Sequence, residues 1–214
     1  MKQVLGWYWP DHEEHLIQWM KEQKPPVING RAAYQGLKQL AVRKHCKQFR
    51  TAIDVGAHCG LWSFNLAHWF DHVVAFEPVA AHRECFAANV KSAKVDLIPC
   101  ALGAVEGYVS IETTEGSSGD SRVSGDGEIP LHRLDRFDIL NVDLIKIDCE
   151  GFEENVLRGA EETIKRWRPT IIVEQKRDMA TNFGLEPEGA LLWLRHMSYK
   201  SVANLGGDHI MVPQ

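Results

Sequence analysis

The chain alternates between short apolar runs and longer stretches in which apolar residues recur at helical spacing. The short runs, rich in β-branched residues, predict buried strands, and the longer stretches predict amphipathic helices. Because strands and helices of this length alternate, we expect an α/β protein with a mostly parallel sheet and helices on both faces. The predicted strands are 51–56, 73–77, 95–100, 140–147 and 170–174, and the predicted helices are 31–48, 61–70, 80–91, a long helix between 152 and 168, and 186–197.

The two ends of the chain differ from this alternating middle. Residues 1–30 read as an N-terminal appendage and residues 31–214 as the main domain. The aromatic cluster at 7–9 either pins the appendage to the core or lines a pocket, and pinning is favoured because a terminal segment needs an apolar anchor. At the other end, the apolar stretches 199–203 and 209–212 flank two glycines and predict an antiparallel hairpin.

The segment 116–127 contains mostly Gly, Ser and Asp, so its small apolar surface predicts that it does not become ordered on its own. It lies in the sequence between two strands of the predicted sheet, which places it over the carboxyl edge of that sheet. A lid over a pocket and a tolerated surface insertion are both consistent with this composition. If the segment is a lid, we expect Arg122 to contact the small molecule on which the protein acts.

Composition limits the class of protein. The 214 residues are 44% hydrophobic and 25% charged, which suits one globular α/β domain with a short appendage. No apolar run is long enough to span a bilayer, and the first residues lack the features of a signal peptide. Five cysteines without a C-x-x-C pair indicate a reducing compartment, so we expect a cytoplasmic protein. The net charge of −5 argues against a nucleic-acid partner.

A glycine loop follows the first strand of the alternating region. Asp54 closes this strand, and Gly56 and Gly60 bracket a turn into the next helix. Such a turn directs backbone N–H groups and a helix N-terminus toward a polar small molecule. Glu77 ends the next strand 21 residues after Gly56, a distance at which an acidic residue binds ribose hydroxyls. The sequence therefore predicts a cofactor that contains a nucleoside.

The spacing of the glycines indicates which nucleoside cofactor binds. The loop reads G-x-x-x-G, with Ala57, His58 and Cys59 between the glycines, whereas a dinucleotide loop reads G-x-G-x-x-G. A loop that carries side chains leaves less room for a pyrophosphate and suits S-adenosylmethionine. An NAD-linked oxidoreductase and a non-catalytic adenosine-binding subunit are the alternatives that remain open.

Several motifs together resemble one family. The sequences IDVGAHCG at 53–60, FEP at 76–78, ALG at 101–103, LD at 134–135 and LIKIDCEGFE at 144–153 are similar, in order and spacing, to those of FkbM-type methyltransferases. The resemblance covers roughly residues 50–175, and the family differs by commonly having Asn and an aliphatic residue at positions 58 and 59.

The resemblance implies a Rossmann-like class I methyltransferase fold, with a seven-stranded sheet closed by the C-terminal hairpin. It also implies methyl transfer from S-adenosylmethionine, usually to a hydroxyl oxygen, and here to a small molecule or sugar acceptor. The expected cofactor-binding residues are Asp54, Gly56, Ala57, His58, Gly60, Glu77, Pro78, Ala101 and Asp148.

Transfer to a hydroxyl needs a group that accepts its proton. Asp148 and Glu150 stand two residues apart at the end of a predicted central strand, so both are candidates for this base. The alternative for Asp148 is a helix cap, and His132 is the reserve base. Glu174 ends the neighbouring strand and with Asp148 could hold a magnesium ion, but acidic strand ends are common in such sheets and no metal is expected.

Overall fold

A seven-stranded sheet forms the centre of the protein, as shown by a computed structural model that describes residues 1–176 and 178–214. The strands are β1 Lys2–Val4, β2 Trp7–Trp9, β3 Val27–Ile28, β4 Arg31–Ala32, β5 Thr51–Val55, β6 His72–Phe76, β7 Val95–Ile98, β8 Ala101–Leu102, β9 Gly107–Val109, β10 Ile111–Thr114, β11 Ser117–Val123, β12 Ile129–His132, β13 Val142–Ile147, β14 Thr170–Glu174, β15 Tyr199–Leu205 and β16 Asp208–Pro213. The helices are α1 His15–Gln23, α2 Gly36–Arg43, α3 Ser63–Trp69, α4 Ala80–Asn89, α5 Glu153–Gly159, α6 Glu161–Trp167 and α7 Gly189–His196, with short 3-10 helices at Leu134–Phe137 and Ala180–Phe183.

The order of strands in the central sheet is β15-β16-β14-β13-β5-β6-β7. Strands β14, β13, β5, β6 and β7 run parallel to one another, and β16 runs antiparallel to both β14 and β15. The C-terminal hairpin therefore closes a parallel sheet, as the sequence predicts. This arrangement confirms the expected Rossmann-like α/β fold.

Alternating strand residues build a hydrophobic core on each face of the sheet. Ile53 and Val55 point to the face covered by α5, α6 and α7, where Ile145 and Ile147 of β13 join them. On the other face, Ala52 packs with Val42 of α2 and Leu66 of α3. A parallel strand that is buried on both faces needs a continuous apolar run, and this explains why the pattern along the sequence predicts these strands well.

A buried ion pair joins the two central strands. Lys146 of β13 lies beside Asp54 of β5 in the register, with 3.3 Å between Nζ and Oδ1. The Lys146 ammonium also donates to the carbonyl oxygen of Gly56 at 2.8 Å. Burial disfavours the charge, but Asp54 and Asp148 raise the pKa of Lys146 above its usual value. The ammonium therefore fixes the point at which β5 turns into the glycine loop.

The N-terminal residues are anchored by aromatic side chains. Trp7 and Trp9 are fully buried in the β1-β2 hairpin. The Trp7 ring packs edge-on against Phe64 of α3, with 5.3 Å between ring centroids, and its indole N–H donates to the carbonyl oxygen of Ala32. Asn89 of α4 donates a side-chain N–H to the carbonyl oxygen of Tyr8. The aromatic cluster pins this segment to the domain, as expected.

The polar segment 116–127 is ordered as a strand over much of its length, so the expectation that it lacks order is wrong. Residues 117–123 form β11, which pairs antiparallel with β10. Ser118 is also fixed by the Glu13 carboxylate, which accepts its backbone N–H at 2.6 Å. Backbone pairing and this carboxylate replace the apolar burial that the composition lacks. Arg122 pairs with the exposed Glu112.

Other elements differ from prediction at their ends. The predicted helix 31–48 is helical at Gly36–Arg43, and residues before it form the β3-β4 pair. The long helix after 152 is two helices that meet at Ala160. Strands β9 and β10, which follow each other closely in the sequence, join different small sheets. Among the described residues, no helix is both long and apolar enough to cross a membrane.

The ion pair between Lys146 and Asp54 gives a prediction about stability. Lys146→Met should reduce the free energy of unfolding by about 3–5 kcal/mol, because it leaves a buried carboxylate without its partner. The double variant Lys146→Met with Asp54→Asn should be more stable than Lys146→Met alone, since the uncompensated charge is gone. Urea unfolding of both variants measures this difference. If Asp54→Asn alone and Lys146→Met alone have effects on stability that simply add up to the effect of the double variant, the pairing is contradicted.

Candidate functional site

A cavity, here called the first cavity, opens at the carboxyl ends of β5, β6 and β13 and has about 610 Å³ of empty space that includes open solvent. Parallel strands bring their carboxyl ends to one edge, which is why residues far apart in the sequence meet there. Six of the nine expected cofactor-binding residues line this cavity: Gly56, His58, Glu77, Pro78, Ala101 and Asp148. Glu150, one of the expected bases, lines it as well.

The other three expected cofactor-binding residues do not line the first cavity. Asp54 is fully buried, where it accepts a hydrogen bond from the Ser63 hydroxyl at 2.6 Å in addition to pairing with Lys146. Gly60 packs against the side chains of Phe86 in α4 and of Val90, the residue that follows this helix. Ala57 faces a neighbouring cavity. The structure therefore gives Asp54 and Gly60 a role in shaping the loop, because neither reaches the cavity surface.

Gly56 makes the close approach between β5 and β13 possible. Its φ is +72°, and a Cβ at this position would lie 2.0 Å from the carbonyl oxygen of Asp148. Only glycine satisfies both conditions. The tight turn holds the backbone of Gly56 against the end of β13, so the loop and Asp148 share one wall of the cavity.

The Glu77 carboxylate organises the side of the cavity at the end of β6. Its Oε2 accepts the backbone N–H of His58 at 2.7 Å, and its Oε1 accepts the backbone N–H of Val79 at 2.8 Å. The His82 ring lies 3.2 Å from Oε1. Each carboxylate oxygen accepts about two hydrogen bonds, so Oε2 retains capacity for a ligand hydroxyl at the cavity surface.

Much of the remaining wall of the first cavity is apolar. Its lining includes Phe76, Leu102 and Phe152, and from the β10-β11 hairpin Ile111 and Val123. The expected position of the segment 116–127 over the sheet edge is therefore correct, although its expected lack of order is not. Apolar side chains beside a carboxylate fit an adenosine, with the base among the apolar side chains and the ribose at Glu77.

A second cavity of about 500 Å³ adjoins the first. Gly56, His58, Gly119, Asp148 and Glu150 line both, so these residues mark the junction. An open groove of about 1050 Å³, the outer groove, shares Tyr34, Glu174 and Lys176 with the second cavity. The second cavity therefore lies between the first cavity and the outer groove and shares lining residues with both.

Three carboxylates meet at this junction. Single oxygens of Asp148, Glu150 and Glu174 lie within 4.8 Å of one another. The Lys176 ammonium lies 3.2 Å from carboxylate oxygens of both Glu150 and Glu174. Burial disfavours the charge of Lys176, but the surrounding carboxylates raise its pKa. Such a set of oxygens could hold a divalent cation, and in this structure the ammonium already provides a positive charge to two of the three groups.

Burial and mutual repulsion change the protonation of two of these carboxylates. Burial and the charge of Asp148 raise the pKa of Glu150 to about 7. The same causes raise the pKa of Glu174 above its usual range. Glu150 is thus the carboxylate that changes its charge near neutrality. Its backbone has φ +51°, a costly conformation for a residue with a side chain.

His58 also adopts a left-handed backbone conformation, with φ +51°. Its Nε2 lies 2.7 Å from the Ser118 hydroxyl, and its ring packs edge-on against His82 with 4.4 Å between centroids. Burial, followed by the nearby His82 and Lys146, lowers the pKa of His58 well below its usual value. The imidazole is therefore neutral at physiological pH.

The reserve base His132 lies elsewhere. Its Nδ1 is 2.6 Å from the Glu106 carboxylate, and Arg136 joins the same group. His132 ends β12 in the small sheet and lines neither cavity at the junction. The structure therefore does not bring it together with Asp148 and Glu150, because its strand pairs with β8 and β9 rather than with the central sheet.

Sequence reasoning missed four residues that line one of the two cavities or contact a residue that does. Lys176 follows β14 directly, so its place at the carboxyl end of a strand was a usable signal. His82 stands five residues after Glu77 on α4, which also places it near the cavity. Glu13 and Ser118 carried no such signal, because their contact joins segments 105 residues apart.

Comparison with known proteins identifies the family. The Methyltransferase FkbM domain matches residues 54–201, and no curated protein sequence matches the chain. The structure is similar to that of methyltransferase FkbM from Methylobacillus flagellatus KT, with a TM-score of 0.51 and 15% identity. The match covers 76% of this chain and 43% of that one, so the matched part of this chain spans less than half the length of that protein. It is also similar to a ribosomal protein L11 methylase from Lactobacillus delbrueckii subsp. bulgaricus, with a TM-score of 0.51, 11% identity and coverage of 89% and 82%. An rRNA methylase from Streptococcus thermophilus has a TM-score of 0.50, 11% identity and coverage of 83% and 95%.

At these identities the solved structures establish the fold alone, and the domain match extends over more than half of the chain, from the glycine loop into the closing hairpin. The match includes the loop at Gly56, the carboxylate Glu77 and the junction residues Asp148 and Glu150. The chain belongs to the FkbM methyltransferase family.

Proposed function

We propose that the protein transfers a methyl group from S-adenosylmethionine to a hydroxyl oxygen of a small molecule or sugar. The observation that carries this proposal is the junction of two cavities at Asp148 and Glu150. The first cavity has the features that an adenosine needs, and the second gives an acceptor a path to the same carboxylates. An NAD-linked oxidoreductase is disfavoured, because the loop carries the His58 side chain where a pyrophosphate would need bare backbone.

The residues of the first cavity would hold the cofactor as follows. Glu77 would accept a ribose hydroxyl, Phe76 and Leu102 would contact the adenine, and the backbone around Gly56 would hold the amino-acid part. When bound, S-adenosylmethionine supplies a methyl group that its sulfonium has already activated. Asp148 and Glu150 place negative charge near that cation, which favours its binding.

The protein's own part in the reaction is to orient the acceptor and to remove its proton. We assign the base to Glu150, because it lines both cavities and its pKa of about 7 lets it gain or lose a proton near neutrality. The Lys176 ammonium, 3.2 Å away, holds the carboxylate in place. Asp148 keeps the pKa of Glu150 high and so makes it a stronger base.

The outer groove supports a small organic acceptor. Trp19, Pro25 and Pro26 provide flat apolar surfaces, and Gln23 and Lys38 provide polar groups. The ring of Trp19 packs edge-on against Tyr34, with 5.3 Å between centroids. Aromatic and proline surfaces with polar groups beside them suit a ring that carries hydroxyls.

The test of this function is a screen with S-adenosylmethionine labelled in its methyl group. Purified protein is incubated with panels of alcohols, sugars, amines and thiols, and nuclear magnetic resonance identifies the atom that receives the label. We expect label on a hydroxyl oxygen, with turnover unchanged by EDTA since Lys176 provides the cation at the carboxylates. Transfer to nitrogen, sulfur or carbon alone would contradict the proposal, and loss of turnover with EDTA would show that a metal is required.

A second prediction concerns the cofactor. Glu77→Ala should weaken the binding of S-adenosylhomocysteine by about 1.5–3 kcal/mol, the magnitude of a hydrogen bond to a charged group. Isothermal titration calorimetry measures this change. Glu106→Ala is the matched control, because it also removes a carboxylate but lies outside both cavities. Equal binding by the two variants, or tight binding of NAD by the wild type, would refute the cofactor assignment.

A third prediction concerns the base. Glu150→Gln should reduce turnover by about 10²-fold or more while retaining cofactor binding. In the wild type, kcat/KM should rise with pH and level off above about 7, since Glu150 accepts a proton only when ionised. Asp148→Asn should move this rise to lower pH, because the repulsion that raises the pKa of Glu150 is removed. A rise at the same pH in Asp148→Asn would assign the titration to another group.

A further inference from the structure

A chain of hydrogen bonds connects the N-terminal segment to the cofactor loop. Glu13 precedes α1 and is fully buried. Its Oε1 accepts the backbone N–H of Leu16 at 2.6 Å, and its Oε2 accepts both the backbone N–H and the hydroxyl of Ser118. The same Ser118 hydroxyl oxygen lies 2.7 Å from Nε2 of His58. A buried carboxylate thus reaches the imidazole at the junction through one serine.

The chemistry of these groups fixes the direction of each hydrogen bond. An ionised carboxylate can only accept, so the single hydroxyl hydrogen of Ser118 is donated to Glu13. The Ser118 oxygen is then an acceptor toward His58, and the hydrogen between them belongs to Nε2. A neutral imidazole carries one N–H, so Nδ1 of His58 has a free lone pair.

The free nitrogen belongs to a ring that lines both cavities. Ser118 and His82 contact the His58 ring and line the first cavity but not the second, and Cys59 Sγ lies 3.7 Å from the same Nε2. Among residues 1–176 and 178–214, none makes a hydrogen bond to His58 Nδ1 in the structure, and this atom is not one of the buried unpaired atoms. Nδ1 is therefore available to a ligand.

We propose that Glu13 is a positioning residue for the cofactor: through Ser118 it holds His58 in the Nε2–H tautomer, so that Nδ1 accepts a hydrogen bond from the bound nucleoside cofactor. The donor is either a ribose hydroxyl or the ammonium of the amino-acid part, and both are hydrogen-bond donors that a neutral imidazole accepts. This inference rests on the proposed function for the identity of the cofactor. The costly backbone of His58 is consistent with the role, because such conformations persist where surrounding contacts over-determine them.

The tautomer is measured first, on the protein without ligand. Nuclear magnetic resonance of histidine labelled with a heavy nitrogen isotope distinguishes the two neutral tautomers. We expect Nε2–H for His58 in the wild type. Ser118→Ala should give a mixture of tautomers, and Glu13→Ala should do the same because the Ser118 hydroxyl is then free to donate to Nε2. A wild-type His58 that carries its hydrogen on Nδ1, or that is protonated at neutral pH, would overturn the proposal.

Ser117→Ala is the matched control. Ser117 is buried on the same strand, and its hydroxyl has no hydrogen-bond partner within the described part of the chain. The control should leave the tautomer and cofactor binding unchanged. If Glu13→Ala does not fold, Ser118→Ala alone still tests the proposal. This variant removes only the hydroxyl oxygen, and the buried Glu13 carboxylate keeps its two backbone donors.

Binding then identifies the donor. Calorimetry compares S-adenosylhomocysteine with methylthioadenosine, which keeps the ribose and lacks the amino-acid part. We expect Ser118→Ala to weaken S-adenosylhomocysteine by about tenfold. An equal loss for both ligands assigns the hydrogen bond to a ribose hydroxyl, and a loss for S-adenosylhomocysteine alone assigns it to the ammonium. Unchanged affinity for both in Ser118→Ala, with an altered tautomer, would overturn the role in cofactor binding. A wild type that binds neither ligand would refute the proposed cofactor, while the tautomer measurement would still decide the state of His58.

Discussion

The ammonium of Lys146 is buried between two parallel strands, β5 and β13. The geometry of the site depends on how this ammonium positions the two strands. A buried charge is costly unless its partners surround it, and here Asp54, Asp148 and the carbonyl oxygen of Gly56 do so. These partners belong to the ends of β5 and β13, so the ion pair aligns the two strands at the edge where the glycine loop begins. Gly56 then fits against the carbonyl oxygen of Asp148 without a side chain between them.

The alignment of these strands brings carboxylates that repel one another to the same edge of the sheet. Asp148, Glu150 and Glu174 come from the ends of adjacent strands, and the charge of Asp148 disfavours the charges of Glu150 and Glu174. The Lys176 ammonium reduces the repulsion. The remaining negative charge faces the junction of the two cavities, where in the proposed reaction it would favour a cationic cofactor and a hydroxyl that loses a proton. The carboxylates that repel one another at this site are therefore the same groups that the proposed reaction uses.

The sequence predicted the central sheet because its strands are buried on both faces and read as continuous apolar runs. It predicted the residues at the strand ends, such as Glu77, Asp148 and Glu150, because a parallel sheet always brings these ends to one edge. Ser118 could not be predicted in this way, because its strand is stabilised by backbone pairing and by a carboxylate 105 residues earlier. His132 illustrates the opposite case, since a histidine beside a strand gives no indication of which sheet that strand joins.

A crystal structure of the protein with S-adenosylhomocysteine tests the assignment of the two cavities most directly. We expect the ribose at Glu77, the adenine among Phe76, Leu102 and Phe152, and the sulfur directed toward the junction at Glu150. In that arrangement the second cavity leads to the position of the transferred methyl group. A ligand bound outside the first cavity, or one whose sulfur points away from Asp148 and Glu150, would contradict the assignment of the two cavities.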